Sequence, residues 1–208
     1  MSEFWEEMFQ KIGTLWQFEP AESAILTSNL FSENEFRKIL IPGVGYGRNA
    51  KPFIEKGLEV IGIEISETAI RLARKNGMNF PIYHGSVNQM PFDDSVYDGI
   101  YCYALIHLLN QNERRRFLKN CYNQLRSEGM MVFISVSKSS KLYEHGKLIS
   151  KDRFRIQNGP DVFFYDQDSI EREFGKYGLI EYREIEEPVK HMENEAPMKF
   201  WMVICRKN

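Results

Sequence analysis

Three closely spaced glycines follow a short apolar run near residue 40. The run Lys38-Ile39-Leu40-Ile41 ends at Pro42, and Gly43, Gly45 and Gly47 come directly after it. Because glycine has no Cβ, such a loop lets a ligand approach the backbone closely. The third glycine comes one residue earlier than in the G-x-G-x-x-G pattern of dinucleotide sites. The loop therefore predicts a cofactor site, and its spacing favours S-adenosylmethionine over NAD.

An acidic residue ends the next apolar run. Residues 58–63 read Leu-Glu-Val-Ile-Gly-Ile, and Glu64 follows them. A carboxylate at this strand end can accept hydrogen bonds from both hydroxyls of a ribose. A glycine trio alone is as typical of a tight turn, and an acid alone is more often a solvated strand end. Their order along the chain favours the binding role for both.

Short apolar runs alternate with helical patterns from residue 37 onward. Strands are predicted over 38–41, 58–63, 80–84, 98–103 and 130–136, and helices over 49–56, 66–76, 113–126 and 166–177. Two further runs, 179–185 and 200–205, predict an antiparallel hairpin at the sheet edge. This order is typical of a Rossmann-like three-layer α/β sandwich with a mainly parallel seven-stranded sheet. The carboxyl ends of parallel strands meet at one edge, so the glycine loop and Glu64 are expected to lie together.

The segment from Ile39 to Ile70 resembles the cofactor motifs of class I methyltransferases that use S-adenosylmethionine. It contains Ile-Leu-Ile-Pro-Gly-Val-Gly-Tyr-Gly and Val-Ile-Gly-Ile-Glu-Ile-Ser, and its Pro-Gly variant is similar to thiopurine and tellurite-resistance methyltransferases. Residues 90–100 resemble the methyltransferase type 11 group, and 125–130 resemble the turn before its fifth strand. The resemblance covers about residues 37–136. It implies an enzyme that transfers a methyl group from S-adenosylmethionine and releases S-adenosylhomocysteine.

The resemblance assigns cofactor binding to residues at the strand ends. These residues are Gly43, Gly45, Tyr46, Gly47, Glu64, Ile65, Ser86, Val87 and Tyr103. Two positions depart from the family pattern. Ile41 stands where many relatives carry an acid that helps to hold the methionine ammonium group, so another group must hold it here. Ser86 stands where relatives often carry an Asp that faces the adenine amine, so the Ser86 hydroxyl or the backbone at Val87 is expected to recognise adenine.

Two candidate catalytic residues, Tyr103 and His107, come at and after the fourth predicted strand. Methyl transfer from a sulfonium is an in-line displacement, so alignment of the acceptor and exclusion of water can supply most of the acceleration. An alcohol or amine acceptor must also lose a proton, and His107 is the candidate base. The alternative for His107 is a hydrogen-bonded structural histidine. Tyr103 either lines the cleft beside the methyl group or packs on the adjoining helix.

Residues 1–208 are predicted to form one domain, with two segments beside the acceptor. Residues 1–35 form a helical segment rich in aromatic side chains, including Trp16. This segment is expected to close over the cofactor as a lid or, alternatively, to pack at the edge of the core. Residues 137–166 form a long insertion, in which Arg153 and Arg155 accompany several aromatics. The insertion is expected either to bind the acceptor or to be a solvated basic loop.

The composition excludes several classes of partner. A formal net charge of -2 disfavours a surface that neutralises many phosphates, so no nucleic acid is expected. Three scattered cysteines without CxxC spacing predict neither disulfides nor a metal site. No spanning stretch or secretory signal is visible, so a cytoplasmic protein with no membrane partner is expected.

The hypothesis that these patterns favour is a methyltransferase acting on a small molecule, because little of the chain beyond the cofactor domain is available to hold a macromolecule. A noncatalytic module that binds S-adenosylmethionine is the alternative, and a sealed acceptor pocket would favour it. An NAD-dependent oxidoreductase is a weaker alternative, since the third glycine comes early and no Tyr-x-x-x-Lys arrangement is recognisable.

Overall fold

Helices and strands alternate along the computed structural model, which describes residues 2–14, 17–187 and 197–208. The helices are α1 Ser2–Ile12, α2 Glu22–Glu33, α3 Lys51–Glu55, α4 Glu67–Lys75, α5 Gln111–Gln124 and α6 Gln167–Phe174. The strands are β1 Lys38–Pro42, β2 Glu59–Glu64, β3 Ile82–His84, β4 Tyr97–Tyr103, β5 Leu125–Val136, β6 Lys147–Ser150, β7 Arg153–Arg155, β8 Asp161–Phe163, β9 Leu179–Glu187 and β10 Met198–Arg206. Short 3₁₀ helices occupy Val87–Gln89, Ile106–Leu108 and Gly175–Tyr177.

The main sheet has seven strands in the order β3-β2-β1-β4-β5-β10-β9. The strands from β1 to β5 pair in parallel, whereas β10 pairs antiparallel with both β5 and β9. The predicted Rossmann-like sheet with an antiparallel C-terminal edge hairpin is confirmed. The carboxyl ends of the five parallel strands meet at one edge, which is where ligands bind in sheets of this topology.

Strand β1 lies near the middle of the sheet and is covered on both faces. Ile39 and Ile41 pack into the core on one face, together with Phe31 from α2. Leu40 packs on the opposite face, in the core that contains Phe117 from α5. Alternation along the strand therefore sends apolar side chains into two helical layers, which explains the uninterrupted apolar run. These layers fix the end of β1 and the glycine loop that follows it.

The predicted boundary between the helix over 113–126 and the strand over 130–136 is wrong. Helix α5 ends at Gln124, and Leu125 already has an extended backbone with ψ at 142°. Gly129 lies inside β5, where its carbonyl accepts a hydrogen bond from the backbone N–H of Lys207. Pairing with the end of the chain therefore extends the strand, and helical periodicity does not report that tertiary effect.

The segment 137–166 contains a second sheet that the sequence pattern did not predict. Strands β6, β7 and β8 form this antiparallel sheet, with β7 in the middle. Each strand has three or four residues, and the β6 residues are all exposed. Strands this short lack the alternation that identifies a strand from sequence.

Within the described ranges, no helix is long and apolar enough to cross a membrane. The same residues contain no group of three or more His, Cys, Asp or Glu side chains placed to hold a metal ion. Cys102, Cys121 and Cys205 are buried free thiols, and burial raises the pKa of each.

Candidate functional site

A cavity of about 700 Å³ opens at the carboxyl ends of the parallel strands. Its wall includes every predicted site residue except Gly47, namely Gly43, Gly45, Tyr46, Glu64, Ile65, Ser86, Val87, Tyr103 and His107. Ile41 is fully enclosed in the core instead, at 1% exposure. The strand ends therefore bring together residues that are far apart in sequence, as the fold requires.

The glycine loop has the left-handed backbone that favours glycine. Gly43 and Gly45 have φ values of +67° and +58°, and the backbone N–H of Gly43 donates to the Ile63 carbonyl at 2.8 Å. A Cβ on Gly43 would lie 3.1 Å from Cδ2 of Leu105. Gly47, at φ +86°, packs against Met78 outside the cavity wall. Gly47 thus shapes the turn, whereas Gly43 and Gly45 form the wall.

Glu64 connects the glycine loop to the start of α4. Its Oε2 accepts from the Gly45 N–H at 2.8 Å, and its Oε1 accepts from the N–H groups of Ile65 and Ser66 at 2.8 and 2.9 Å. Burial raises the pKa of Glu64, while the three amide donors oppose that rise. The side chain is 6% exposed and faces the cavity, so its orientation is fixed before any ligand arrives.

The wall after β3 is held by reciprocal capping bonds. The Ser86 Oγ accepts from the N–H of Asn88 at 3.2 Å, and the Ser86 N–H donates to Oε1 of Gln89. Asn88 Nδ2 donates to Oε1 of Glu113 at 2.9 Å, and both residues line the cavity. The sequence analysis missed Asn88 and Glu113. The Asn110-x-x-Glu113 capping-box spacing was the available signal for Glu113, and it indicates a helix start rather than a site.

Helix α1 covers the glycine loop. Trp5 and Phe9 line the cavity, and the Phe9 ring lies edge-on to Tyr46 with centroids 6.1 Å apart. Glu6 accepts hydrogen bonds from Ser66 Oγ, Thr68 Oγ1 and the Thr68 N–H. These bonds lower the pKa of Glu6 to about 2. A lid formed by residues 1–35 stays a prediction, and Trp16 of that segment lies outside the described residues.

His107 lies on the 3₁₀ helix after β4 and is 7% exposed. Its Nδ1 accepts a hydrogen bond from the N–H of Val136 at 3.3 Å. Its ring centroid is 6.5 Å from that of Phe200 on β10. Burial lowers the pKa of His107 to about 3, so the ring is neutral at neutral pH. The geometry accordingly gives His107 both a structural bond and a place on the cavity wall.

Tyr103 is the last residue of β4 and packs against Phe200 of β10. Its ring lies 5.9 Å from the Phe200 ring, and the Arg48 guanidinium lies 5.4 Å from its centroid. Burial, together with the nearby Glu187 carboxylate, raises the pKa of Tyr103 to about 12. The phenol is therefore protonated at neutral pH and lines the cavity as an aromatic wall.

The insertion contributes apolar side chains to the cavity rather than its arginines. Leu142, Ile156, Pro160 and Val162 line the cavity. Arg153 instead donates to the backbone carbonyls of Leu108 and Leu109, beside His107. Arg155 pairs with Asp161 on the neighbouring strand at 2.7 Å. Both arginines thus bind protein groups in this structure.

Acidic side chains predominate among the charged groups of the cavity wall. The carboxylates are Glu19, Glu22, Glu64, Glu113 and Glu187. Among the described lining residues, Arg48 is the one basic side chain of the Lys or Arg type. Buried Glu187 accepts from the N–H groups of Glu22 and Ser23 at the start of α2. A wall of this charge disfavours anionic ligands.

Residues 40–133 match the family model described as a methyltransferase domain. These residues are therefore similar to methyltransferase domains. An uncharacterized methyltransferase from Oceanobacillus iheyensis is 33% identical over 101 residues, which are 49% of this chain and 47% of that protein. The tRNA N(3)-methylcytidine methyltransferase Mettl2 from Drosophila melanogaster is 23% identical over 163 residues, covering 70% of this chain and 49% of that protein. The chain spans about half the length of these curated relatives.

The fold of this chain also occurs in solved structures. A 1,6-didemethyltoxoflavin-N1-methyltransferase from Burkholderia thailandensis, solved with bound 1,6-didemethyltoxoflavin and S-adenosylhomocysteine, superposes with a TM-score of 0.67. The two chains are 14% identical, and the match covers 90% of this chain and 79% of that one. This similarity shows the fold, and the family model confirms the resemblance that the sequence motifs predicted.

Proposed function

We propose that this protein is an S-adenosylmethionine-dependent methyltransferase that acts on a small-molecule acceptor. The observation that carries the proposal is the fixed Glu64 carboxylate, which accepts a hydrogen bond from the Gly45 amide at the wall of a cavity that apolar side chains of β10 and the insertion also line. A ribose acceptor beside a glycine loop is the arrangement that a nucleoside cofactor needs. The match of residues 40–133 to a methyltransferase domain supports this cofactor over NAD.

The residues present fit S-adenosylmethionine. Glu64 would accept a hydrogen bond from a ribose hydroxyl through the lone pair on Oε2 that its three amide donors leave free. Ile65 and Val87 would contact the adenine, with the Ser86 hydroxyl as its polar neighbour. Gly43 and Gly45 would allow the close approach of the methionine part. The bound cofactor supplies an electrophilic methyl group on a sulfonium.

The acceptor would occupy the end of the cavity built from β4, β5, β10 and the insertion. The wall there includes Val136, Leu142, Ile156, Val162, Met198 and Phe200, all of which are apolar. Such a surface excludes water and holds an acceptor by burial, so alignment would provide most of the catalysis. We infer an uncharged, mainly apolar acceptor.

Two alternatives are less well supported. The tRNA substrate in the name of the Drosophila relative would need a cationic surface, whereas the cavity wall is acidic and the net charge is -2. A noncatalytic module would be favoured by a sealed acceptor end, whereas the cavity of about 700 Å³ reaches the insertion.

Isothermal titration tests the cofactor first. The purified protein, freed of copurified ligand, is titrated with S-adenosylmethionine, S-adenosylhomocysteine and NAD in parallel. We expect micromolar binding of the first two and no heat from NAD. If neither S-adenosylmethionine nor S-adenosylhomocysteine bound, the proposal would be overturned. Binding without methyl transfer to any of a panel of thiols, amines and hydroxylated ring compounds would favour the noncatalytic module.

A further inference from the structure

The imidazole of His107 has one engaged nitrogen and one that the protein leaves unbonded. Nδ1 accepts from the Val136 N–H at 3.3 Å. Among residues 2–14, 17–187 and 197–208, no group forms a hydrogen bond with Nε2. The ring is 7% exposed, and His107 lines the cavity. A polar nitrogen on a largely buried ring therefore borders the space proposed for the acceptor.

The bond from Val136 decides which nitrogen carries the proton. A backbone N–H can only donate, so Nδ1 must present a lone pair. A neutral imidazole has one N–H, which then lies on Nε2. Burial is the single cause of the lowered pKa of His107, so no charged group among the described residues favours a second proton. A general base at Nε2 would need a lone pair there, and this tautomer has none.

The groups around His107 restrict what its N–H can bind. Val136, Phe200 and Leu142 give the neighbouring wall an apolar surface. Tyr103 stays protonated there because its pKa is about 12. Glu187 is the acidic group of this end, and it is already engaged by two amides of α2. An anionic acceptor would be repelled by the acidic groups of the cavity. An apolar compound without a polar atom would leave the Nε2–H without a hydrogen bond, which costs free energy.

We infer that His107 acts as a hydrogen-bond donor that positions the acceptor molecule, and that this acceptor is an uncharged, mainly apolar compound with a hydrogen-bond-accepting oxygen. The inference rests on the proposed function and names the substrate class of that site. His107 is thus a positioning residue for an acceptor whose transferred methyl goes to another atom, so no proton moves through its ring. The alternative, in which His107 is the base for an acceptor that must lose a proton, predicts the opposite tautomer.

Nuclear magnetic resonance of ¹⁵N-histidine-labelled protein tests the tautomer directly. We expect the His107 signals of the Nε2–H form, unchanged as the pH is varied around neutrality. His145 is solvent-exposed, and its signals are identified by their loss in a His145→Gln variant. Those signals can then be excluded when the His107 signals are assigned. An Nδ1–H form, or a His107 signal that titrates near neutral pH, would overturn the donor role. This measurement needs no ligand.

Fragment binding tests the acceptor class. Acetophenone, benzoate and benzylamine are compared by saturation-transfer spectroscopy on protein saturated with S-adenosylhomocysteine. We expect acetophenone to bind best, and to bind about fivefold more weakly to His107→Phe, the change expected for one neutral hydrogen bond. His107→Gln, which keeps an N–H donor, should recover part of the affinity. Preference for benzoate or benzylamine, or equal acetophenone affinity in His107→Phe, would overturn the inference. Absence of S-adenosylhomocysteine binding would instead overturn the proposed function.

Discussion

Glu6 of α1 accepts a hydrogen bond from Ser66 Oγ at 2.6 Å, directly beside the turn that holds Glu64. Ser66 is the N-cap of α4, and its backbone N–H donates to Oε1 of Glu64 at 2.9 Å. One residue therefore joins the helix that covers the cavity to the carboxylate proposed to bind the ribose. A carboxylate at the N-terminus of α4 is also favoured by the helix dipole.

Replacing Glu6 should loosen α1 from the cavity. In Glu6→Ala, the bonds to Ser66 and Thr68 are lost, and we expect faster dissociation of S-adenosylhomocysteine with an affinity loss of about 1–2 kcal/mol. Hydrogen exchange of the α1 amides should rise at the same time. The control is Glu7→Ala, since Glu7 pairs with Lys11 on the exposed side of the same helix. Equal dissociation rates in both variants would show that α1 does not retain the ligand.

Glu64 should matter for cofactor binding far more than another acid of the same strand. Glu64→Ala removes the proposed ribose acceptor and the bond to Gly45, so affinity for S-adenosylmethionine should fall by about 1–3 kcal/mol. Glu59 lies exposed at the start of β2, and Glu59→Ala should leave the affinity unchanged. Calorimetry on both variants measures this difference. An unchanged affinity in Glu64→Ala would remove Glu64 from the cofactor site.

Local sequence signals predicted the parts of the site that one strand end can specify. Gly43, Gly45 and Glu64 each follow an apolar run, and all three line the cavity. The helix predicted over 66–76 also begins as expected, because Ser66 caps α4 and its Oγ accepts from the Ala69 N–H. These signals lie within a few residues of the strand that positions them.

Contacts between distant elements could not be predicted in the same way. Glu6 reaches Ser66 across 60 positions of the sequence, and Asn88 reaches Glu113 across 25. Nothing in the neighbouring residues marks Glu6 as different from Glu7, because its partner depends on how α1 packs on α4. The tautomer of His107 likewise depends on Val136, which lies on another strand.

Burial of neutral His107 should make the protein less stable as the pH falls below about 6.5, the pKa of an unfolded histidine. The folded pKa is about 3, so between these values the unfolded chain binds a proton that the native protein does not. The free energy of unfolding should then fall with decreasing pH, by up to about 1.4 kcal/mol per pH unit from this residue. Urea unfolding at pH 7 and pH 5.5 measures the fall. His107→Gln should show a smaller fall over this interval, and an identical fall would contradict the neutral state.

Arg153 should stabilise the segment that carries His107. Its guanidinium is buried and donates to the carbonyls of Leu108 and Leu109, so Arg153→Met leaves the Leu108 carbonyl without this partner. We expect a loss of about 1–3 kcal/mol in unfolding free energy. Arg155→Met is the matched control on the same strand, because its ion pair with Asp161 is solvent-exposed on the arginine side and should contribute less than the buried carbonyl bonds of Arg153. Urea unfolding of both variants gives the two values. If Arg155→Met destabilised the protein as much as Arg153→Met, the exposed ion pair rather than the buried carbonyl bonds would be the stabilising contact of β7.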